Sequence, residues 1–378
     1  MNKEALIKSF KQLYKKEPEE FYISGGRFEL LGNHTDHNHG KTLAATCSLV
    51  INAAFGKNDK NQVRLLSLNH SQFEFDIKDL SLKEEDMGKS IGLVKGVMYY
   101  LKEHGYKIGG FDIYTESTIP TGSGLSSSAA FEILIGQVMN YLYNEKKIPI
   151  LDICKAGKYA ENNYFGKASG LLDQIACASN GVSYIDFENI EKPEITILQE
   201  EFKGYHFVVI DTGVSHADMS DVYSSIPSDM YAAAKAMGHK YLREGSKKEL
   251  DAVKDKITIS QYQRALHFYN ENERVELAVK SLQNGDIFGV FTQIQKSEQS
   301  SRTLLKNAMI GDIYDGSLAQ AIDRSNQAMM FKGATKINGG GFAGTVIAIV
   351  PDKYYNSYFS TMTSYYGKDH VFPVSVLK

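Results

Sequence analysis

Apolar positions follow distinct rhythms along the chain. Alternation through Phe111-Asp-Ile-Tyr-Thr-Glu-Ser-Thr-Ile119 predicts a half-buried strand. Phe131-Glu-Ile-Leu-Ile-Gly-Gln-Val-Met-Asn-Tyr-Leu142 is apolar nearly all round and predicts a buried helix. Ahead of them, residues 4–15 read as a surface helix, 21–27 and 28–32 as short strands, 42–55 and 62–77 as β-rich stretches, and 89–104 as a helix. Behind them come a helix over 151–165 and a strand over 182–187. The second half opens on a strand at 205–211, followed by helical stretches at about 218–243, 258–283, 286–306 and 315–330. A strand over 346–350, a helix near 353–364 and a strand near 370–376 complete it. Strands and helices mix without strict βαβα alternation, which predicts an α+β fold. The acidic, Lys-dotted segment 188–203 predicts a seam between a domain of residues 1–203 and one of residues 204–378.

The junction between the central strand and helix is Pro120-Thr-Gly-Ser-Gly-Leu-Ser-Ser-Ser-Ala-Ala130. Gly122 and Gly124 let the backbone turn and let a ligand approach it. Ser126, Ser127 and Ser128 fall where the helix begins, so its N–H groups and positive dipole end face an anion, and phosphate suits that site. A Ser-capped helix after a turn is the plain alternative, but one cap needs one serine. No Lys follows, so this is not a Walker loop. Gly339-Gly-Gly-Phe-Ala-Gly344 matches GxGxxG to the letter, yet a strand follows where a dinucleotide fold needs a helix.

Asn33-His-Thr-Asp-His-Asn-His-Gly40 is polar and has no period, hence a loop, and its composition suggests function. His34, Asp36, His37 and His39 are metal-binding residue types at a spacing that fits no common zinc pattern. Sugar hydroxyls, which want closely placed carboxylates and mixed donor–acceptors, are the better match. Taken singly, Asp173 reads as a helix N-cap, Glu161 as a solvated helix charge and Arg27 as an ordinary strand residue.

Composition narrows the class. At 378 residues two domains are expected, and 43% hydrophobic content supplies ample core. A net charge of −3 gives no footprint for nucleic acid or a membrane surface. Cys47, Cys154 and Cys177 are odd in number and not at metal-like spacing, which suits reduced thiols in a cytoplasm. The charged N-terminal helix is not a signal peptide, and the apolar runs are far below a membrane span.

Together these stretches resemble the galactokinase branch of the GHMP small-molecule kinase family. Gly26-Arg-Phe-Glu-Leu-Leu-Gly-Asn-His-Thr-Asp-His37 resembles the pattern GRVNLIGEHTDY, and Pro120–Ala130 resembles the phosphate motif PxGxGLSSSA. Gly170-Leu-Leu-Asp-Gln174 is similar to GIMDQ, and Lys336–Thr345 resembles a third motif whose core is GGGFGG. The resemblance implies an N-terminal domain like ribosomal protein S5 domain 2, a C-terminal ferredoxin-like domain and an active site between them. It implies transfer of the γ-phosphoryl group of ATP to the anomeric hydroxyl of a sugar, with Mg²⁺, by a cytoplasmic monomer. By position, Asp173 takes the catalytic place and Arg27 that of the residue steadying it. Gly122, Ser123, Gly124, Leu125, Ser126, Ser127 and Ser128 form the phosphate loop, and Ser128 and Glu161 the Mg²⁺ ligands. Asn33, His34, Thr35, Asp36 and Tyr223 match sugar-contacting positions.

The chain departs from that pattern where Glu29 replaces Asn, Asn33 replaces Glu and His37 replaces Tyr. The carboxylate usual at position 33 holds the hydroxymethyl on sugar carbon 6. The resemblance implies galactose as substrate, and the missing carboxylate gives a relative altered at carbon 6 as the alternative. A sugar- and ATP-binding sensor without turnover is a third reading, which Asp173, Arg27 and the serine-rich loop oppose.

Overall fold

A computed structural model describes residues 3–68, 72–120, 122–167, 169–199, 202–214 and 220–378. In chain order the elements are α1 (Lys3–Tyr14), β1 (Glu20–Leu31), β2 (Lys41–Lys57), β3 (Gln62–Ser67), β4 (Phe73–Asp76), α2 (Ser90–Glu103) and β5 (Phe111–Ser117). They continue through α3 (Ser127–Tyr143), α4 (Ile150–Ala160), α5 (Leu172–Ala178), β6 (Val182–Asp186), β7 (Glu194–Leu198), β8 (Tyr205–Asp211) and α6 (Ser220–Ala236). The remainder are α7 (Lys247–Ala252), α8 (Ile259–Gln283), α9 (Ile287–Ser300), α10 (Leu318–Ala328), β9 (Ala334–Asn338), β10 (Thr345–Pro351), α11 (Asp352–Tyr366) and β11 (Val371–Val374). The class is α+β, as the pattern predicts. The chain divides into two compact units: Met1–Arg27, Thr46–Thr121 and Ser126–Asn180 form one, and Phe28–Ala45, Gly122–Leu125 and Gly181–Lys378 the other.

In the first unit strands run in the order β4-β3-β5-β2, with β3 and β5 parallel and the other pairs antiparallel. Strand β5 is buried over Phe111–Glu116, not half-buried as its alternation predicts. Asp112 and Glu116 go inside because each finds a partner, Tyr114 Oη donating to Glu116 at 2.9 Å. Arg64 donates to both Asp112 oxygens, at 2.6 and 2.8 Å, and Lys16 lies 2.8 Å from the same carboxylate. Tyr114 packs with Leu6 and Phe10 of α1. Helix α3 matches its all-round apolar pattern, and the three serines sit at its start, as expected. Helix α4 stops at Ala160, and residues Glu161–Phe165 widen into a π-helical turn that points Glu161 inward, fully buried. The expected surface charge is therefore a core residue.

In the second unit the Lys41–Ala45 part of β2 pairs with β6, and β6 with β7, which lies within the segment 188–203. A separate antiparallel sheet runs β11-β8-β10-β9. Chain order β8, helices, β9, β10, α11, β11 gives this sheet the split βαβ arrangement of ferredoxin-like folds. Val346, Ala348 and Val350 of β10 pack with Leu318 and Ile322 of α10 and with Tyr358 and Met362 of α11. The sequence pattern misses β9 because Ala-Thr-Lys-Ile-Asn looks polar. All five residues are buried, since Lys336 and Asn338 meet partners inside.

Strand β1 is one continuous strand rather than two. It ends at Leu31, and Gly32 turns the chain into the loop that precedes β2. Gly32 has φ +101°, and a Cβ there would lie 2.6 Å from the Lys41 carbonyl oxygen. Gly32→Ala should cost about 2 kcal/mol or more of stability, through backbone strain and the clash with β2. Urea unfolding of variant and parent measures it, and equal midpoints would refute the assignment.

Candidate functional site

The first unit gathers a cluster of charged residues around Asp173. Asp173 lies in the first turn of α5 rather than at its N-cap, which is Leu171. Arg27 Nε donates to Asp173 Oδ1 at 2.8 Å, and the pair is largely shielded, with side-chain exposures of 7% and 22%. Ser126 Oγ donates to the other oxygen, Oδ2, at 2.6 Å. Burial alone would push this carboxyl up, but the charges of Arg27 and then Lys167, with bonds from Arg27 and Ser126, hold it below the ordinary carboxylate range. Asp173 is ionised at neutral pH.

Ser126 precedes α3 in the left-handed conformation, φ 56°, and makes no side-chain cap on the helix. Its hydroxyl is committed to Asp173, so the first-turn N–H groups of α3 keep their dipole character toward an anion. Two residues on, Ser128 Oγ donates to Glu161 Oε1 at 2.9 Å. Lys167 Nζ donates to the same oxygen at 2.7 Å, and Gln174 Nε2 donates to Glu161 Oε2 at 3.1 Å. Gln174 also donates to Glu132 Oε2, at 2.9 Å. Burial and the neighbouring Glu161 push the Glu132 carboxyl well above its ordinary range. Lys167 and Glu132 lie outside the sequence-based assignment. Gln174 was legible as part of Gly170–Gln174 but carried no role.

The second unit gathers the polar loop and the glycine turn. Asn33 Nδ2 donates to the Gly339 carbonyl at 2.6 Å, and Asn33 Oδ1 accepts from Asn307 Nδ2 at 3.0 Å. His34 Nε2 donates to the Gly340 carbonyl at 2.8 Å. Tyr223 Oη donates to the Gly341 carbonyl at 2.6 Å, and burial pushes that phenol up to about 12. Asp218 and Met219, part of the sequence context of Tyr223, lie outside the described residues. Thr35 is fully buried and its hydroxyl serves the loop's own backbone, at the Gly32 and Lys41 carbonyls. Asp36 is half-buried and accepts from the His37 N–H at 2.9 Å. Burial lowers His37 to about 3, so it is neutral. His39 stacks on Tyr241 at 3.9 Å. Among the described residues no three His, Cys, Asp or Glu side chains are grouped to hold a metal.

The phosphate loop's Gly122–Leu125 part also belongs to this unit. Gly124 has φ +64°, and a Cβ there would lie 2.5 Å from Thr345 Oγ1, so only glycine fits. Asn338 Nδ2 holds the Gly124 carbonyl at 3.1 Å. Helix α8 anchors the polar loop from beneath. His267 Nε2 donates to the Asn33 carbonyl, Glu271 Oε1 accepts from the Gly32 N–H at 2.9 Å, and Asn272 Oδ1 accepts from the Lys41 N–H at 2.7 Å. Burial alone would raise Glu271, but Arg274 overrides it and holds it at about 2. No local motif in α8 marks these contacts, so sequence reading passes over them.

A family model described as GHMP kinases N terminal domain matches residues 92–181, and one described as galactokinase galactose-binding signature matches residues 8–57. The chain is 30% identical over 365 residues to the galactokinase of Lactobacillus helveticus, covering 93% of this chain and 90% of the relative. It is 29% identical over 374 residues to that of Limosilactobacillus reuteri, again covering 93% and 90%. The crystal structure of Lactococcus lactis galactokinase complexed with galactose superposes with a TM-score of 0.86 at 26% identity, covering 99% of this chain and 98% of that one. Mevalonate kinase from Methanococcus jannaschii shares the fold, with a TM-score of 0.67 at 15% identity and coverage of 95% and 98%.

The ion pair in the first cluster makes a pH prediction. An Asp held below its ordinary range adds stability above the unfolded carboxylate pKa and loses it as pH falls through the folded value. Arg27→Met removes the main lowering influence and leaves burial, so the Asp173 pKa should rise. The variant should lose about 3 kcal/mol near neutral pH, and the gap from the parent should narrow on acidification. Stability curves from pH 3 to pH 8 test this, and a pH-independent gap would contradict it.

Proposed function

The chain belongs to the galactokinases within the GHMP kinases, and from that premise we propose how it acts: it transfers the γ-phosphoryl group of ATP to the anomeric hydroxyl of galactose. The observation that carries the reading is an ionised Asp173 held by Arg27, with a hydroxyl already hydrogen-bonded to its free oxygen.

Phosphoryl transfer is mainly positioning and charge stabilisation. Asp173 Oδ2 offers a sugar hydroxyl the position on which Ser126 Oγ now donates. A carboxylate held this acidic orients the hydroxyl first. It accepts the proton as the bond to phosphorus forms and the hydroxyl grows more acidic. Arg27 keeps that carboxylate charged and brings a guanidinium to the transferring group. The N-terminus of α3, with Ser127 and Ser128, faces the phosphates. On this reading Asn33, His34 and Asp36 of the polar loop and Tyr223 of α6 contact the sugar; Asn33, His34 and Tyr223 each donate to a carbonyl of the glycine turn.

Ser128 Oγ and the Glu161 carboxylate form an all-oxygen pair 2.9 Å apart, the donor chemistry Mg²⁺ takes while keeping several waters. Mg²⁺, when bound, would offset the triphosphate charge. Lys167 and Gln174 hold the Glu161 carboxylate in place for it. No described helix is long and apolar enough to cross a membrane.

A second reading of the substrate rests on Asn33, whose amide is engaged with Gly339 and Asn307 rather than free to accept from a hydroxyl at carbon 6. An ADP-release assay with Mg·ATP over a panel of aldoses distinguishes the two. Galactose should be turned over, and no ADP with any aldose would refute the kinase reading.

Asp173→Asn should lower kcat by roughly 10²–10⁴ while sugar binding survives, because an amide still hydrogen-bonds but takes no proton. Calorimetric sugar binding beside steady-state rates checks it, and near-parental kcat would overturn the role. Ser128→Ala and Glu161→Gln should each shift the Mg²⁺ dependence of the rate to higher metal concentration, as each removes an oxygen ligand or its charge. Overlaid titrations of parent and variants would remove both residues from the metal site.

A further inference from the structure

Two departures from the family pattern are reciprocal: Glu stands at 29 for Asn, and Asn at 33 for Glu. Four residues apart across the end of a strand, they look unrelated in sequence. The turn at Gly32 brings them together. Asn33 Nδ2 lies 3.5 Å from Glu29 Oε2, and the two residues are 1% and 3% exposed.

A third buried group completes the set. Lys336 Nζ, on β9, donates to Glu29 Oε1 at 2.8 Å and to the Ile337 carbonyl at 2.7 Å, with its side chain 1% exposed. The volume thus sets one ammonium and one carboxylate beside the Asn33 amide, whose oxygen accepts from Asn307 Nδ2. The amide reaches the glycine turn by donating to the Gly339 carbonyl. Adding a carboxylate at 33 alone would put two anions beside one cation. Removing the one at 29 alone would leave Lys336 buried without a counter-ion. Each change is costly because the group left over is a charge out of water. Exchanging both at once keeps one carboxylate, one amide and one ammonium in the same space.

We infer that Glu29 and Asn33 are a single positioning unit, neutralising Lys336 and setting the glycine turn, whose carboxylate can move between positions 29 and 33 only by joint exchange. The unit acts on sugar through its neighbours, since His34 and Tyr223 are tied to Gly340 and Gly341 of the same turn. For its consequence at the sugar the inference rests on the galactose-kinase reading. Its consequence for stability does not.

The test is a double-mutant cycle of Glu29→Asn, Asn33→Glu and the pair, read by thermal unfolding and by KM and kcat on galactose and 6-deoxygalactose. Each single variant should melt below the parent and raise the galactose KM about tenfold, with a smaller change in kcat. The double variant should recover most of both losses. With a carboxylate at 33 able to accept from a hydroxyl, it should also favour galactose over 6-deoxygalactose about tenfold more than the parent does. Additive losses in the double variant would overturn the unit. If Asn33→Glu alone does not fold, the comparison of Glu29→Asn with the double variant decides. The second substitution must then raise the melting temperature, and a further fall would refute the inference. Absence of galactose turnover in the parent would strike the function reading and leave the stability cycle intact.

Discussion

Arg27 and Asp173 illustrate the constraint on which this structure depends: a carboxylate taken out of water must meet a cation at hydrogen-bond distance. The same pairing recurs wherever chemistry is arranged. Lys167 meets Glu161, Arg274 meets Glu271 and Lys336 meets Glu29. Arg27–Asp173 and Lys336–Glu29 each join elements far apart in sequence, whereas Arg274–Glu271 lies within α8 and Lys167–Glu161 spans six residues. Breaking one strands a charge, so these positions tolerate substitution poorly unless the partner changes too. Glu132 is the contrast. Its strongest charged neighbour is Glu161 rather than a cation, it shares Gln174 with that residue, and its carboxyl is pushed well above the ordinary range.

Pairing also explains why an irregular polar loop is well placed. Loops of this kind are usually loosely held. Here helix α8 presents His267, Glu271 and Asn272 along one face and receives the backbone of Gly32, Asn33 and Lys41. His267 is buried and lowered to about 4, which fixes it as a neutral ring that donates from Nε2 and accepts at Nδ1. The loop is held by its main chain, with the His37 carbonyl also accepting from Tyr231 Oη, which leaves the Asn33 and His34 side chains to contact the glycine turn.

On the proposed reading of phosphoryl transfer, the first unit would contribute an acceptor-orienting carboxylate, a guanidinium, a helix N-terminus and an all-oxygen pair suited to Mg²⁺. These are groups that act by fixed charge and position, which is the form of catalysis phosphate chemistry uses most. Ser126 joins two of them: its backbone opens α3 and its hydroxyl rests on Asp173. The left-handed backbone at Ser126 aims that hydroxyl away from the helix it precedes.

By itself the sequence determined the fold class and the buried helix after a glycine–serine turn, and its resemblance to a known family pointed to Arg27, Asp173, Ser128 and Glu161 as candidate site residues. It could do so because contiguous motifs carry their meaning in residue type and spacing. Apolar periodicity located most elements but not β9, whose Lys336 and Asn338 look solvent-facing until their partners are known. It also misread β5, where ion pairs allow polar residues inside. Tertiary structure alone decided that Glu161 is a core residue carried by a π-turn, that His267 and Glu271 anchor the polar loop, and that Glu29 and Asn33 share one contact with Lys336. The reason is physical. Whether Arg27, Asp173, Glu29 and Lys336 are buried depends on a counter-charge supplied by another part of the chain, and that pairing leaves no periodic mark in the sequence around either partner.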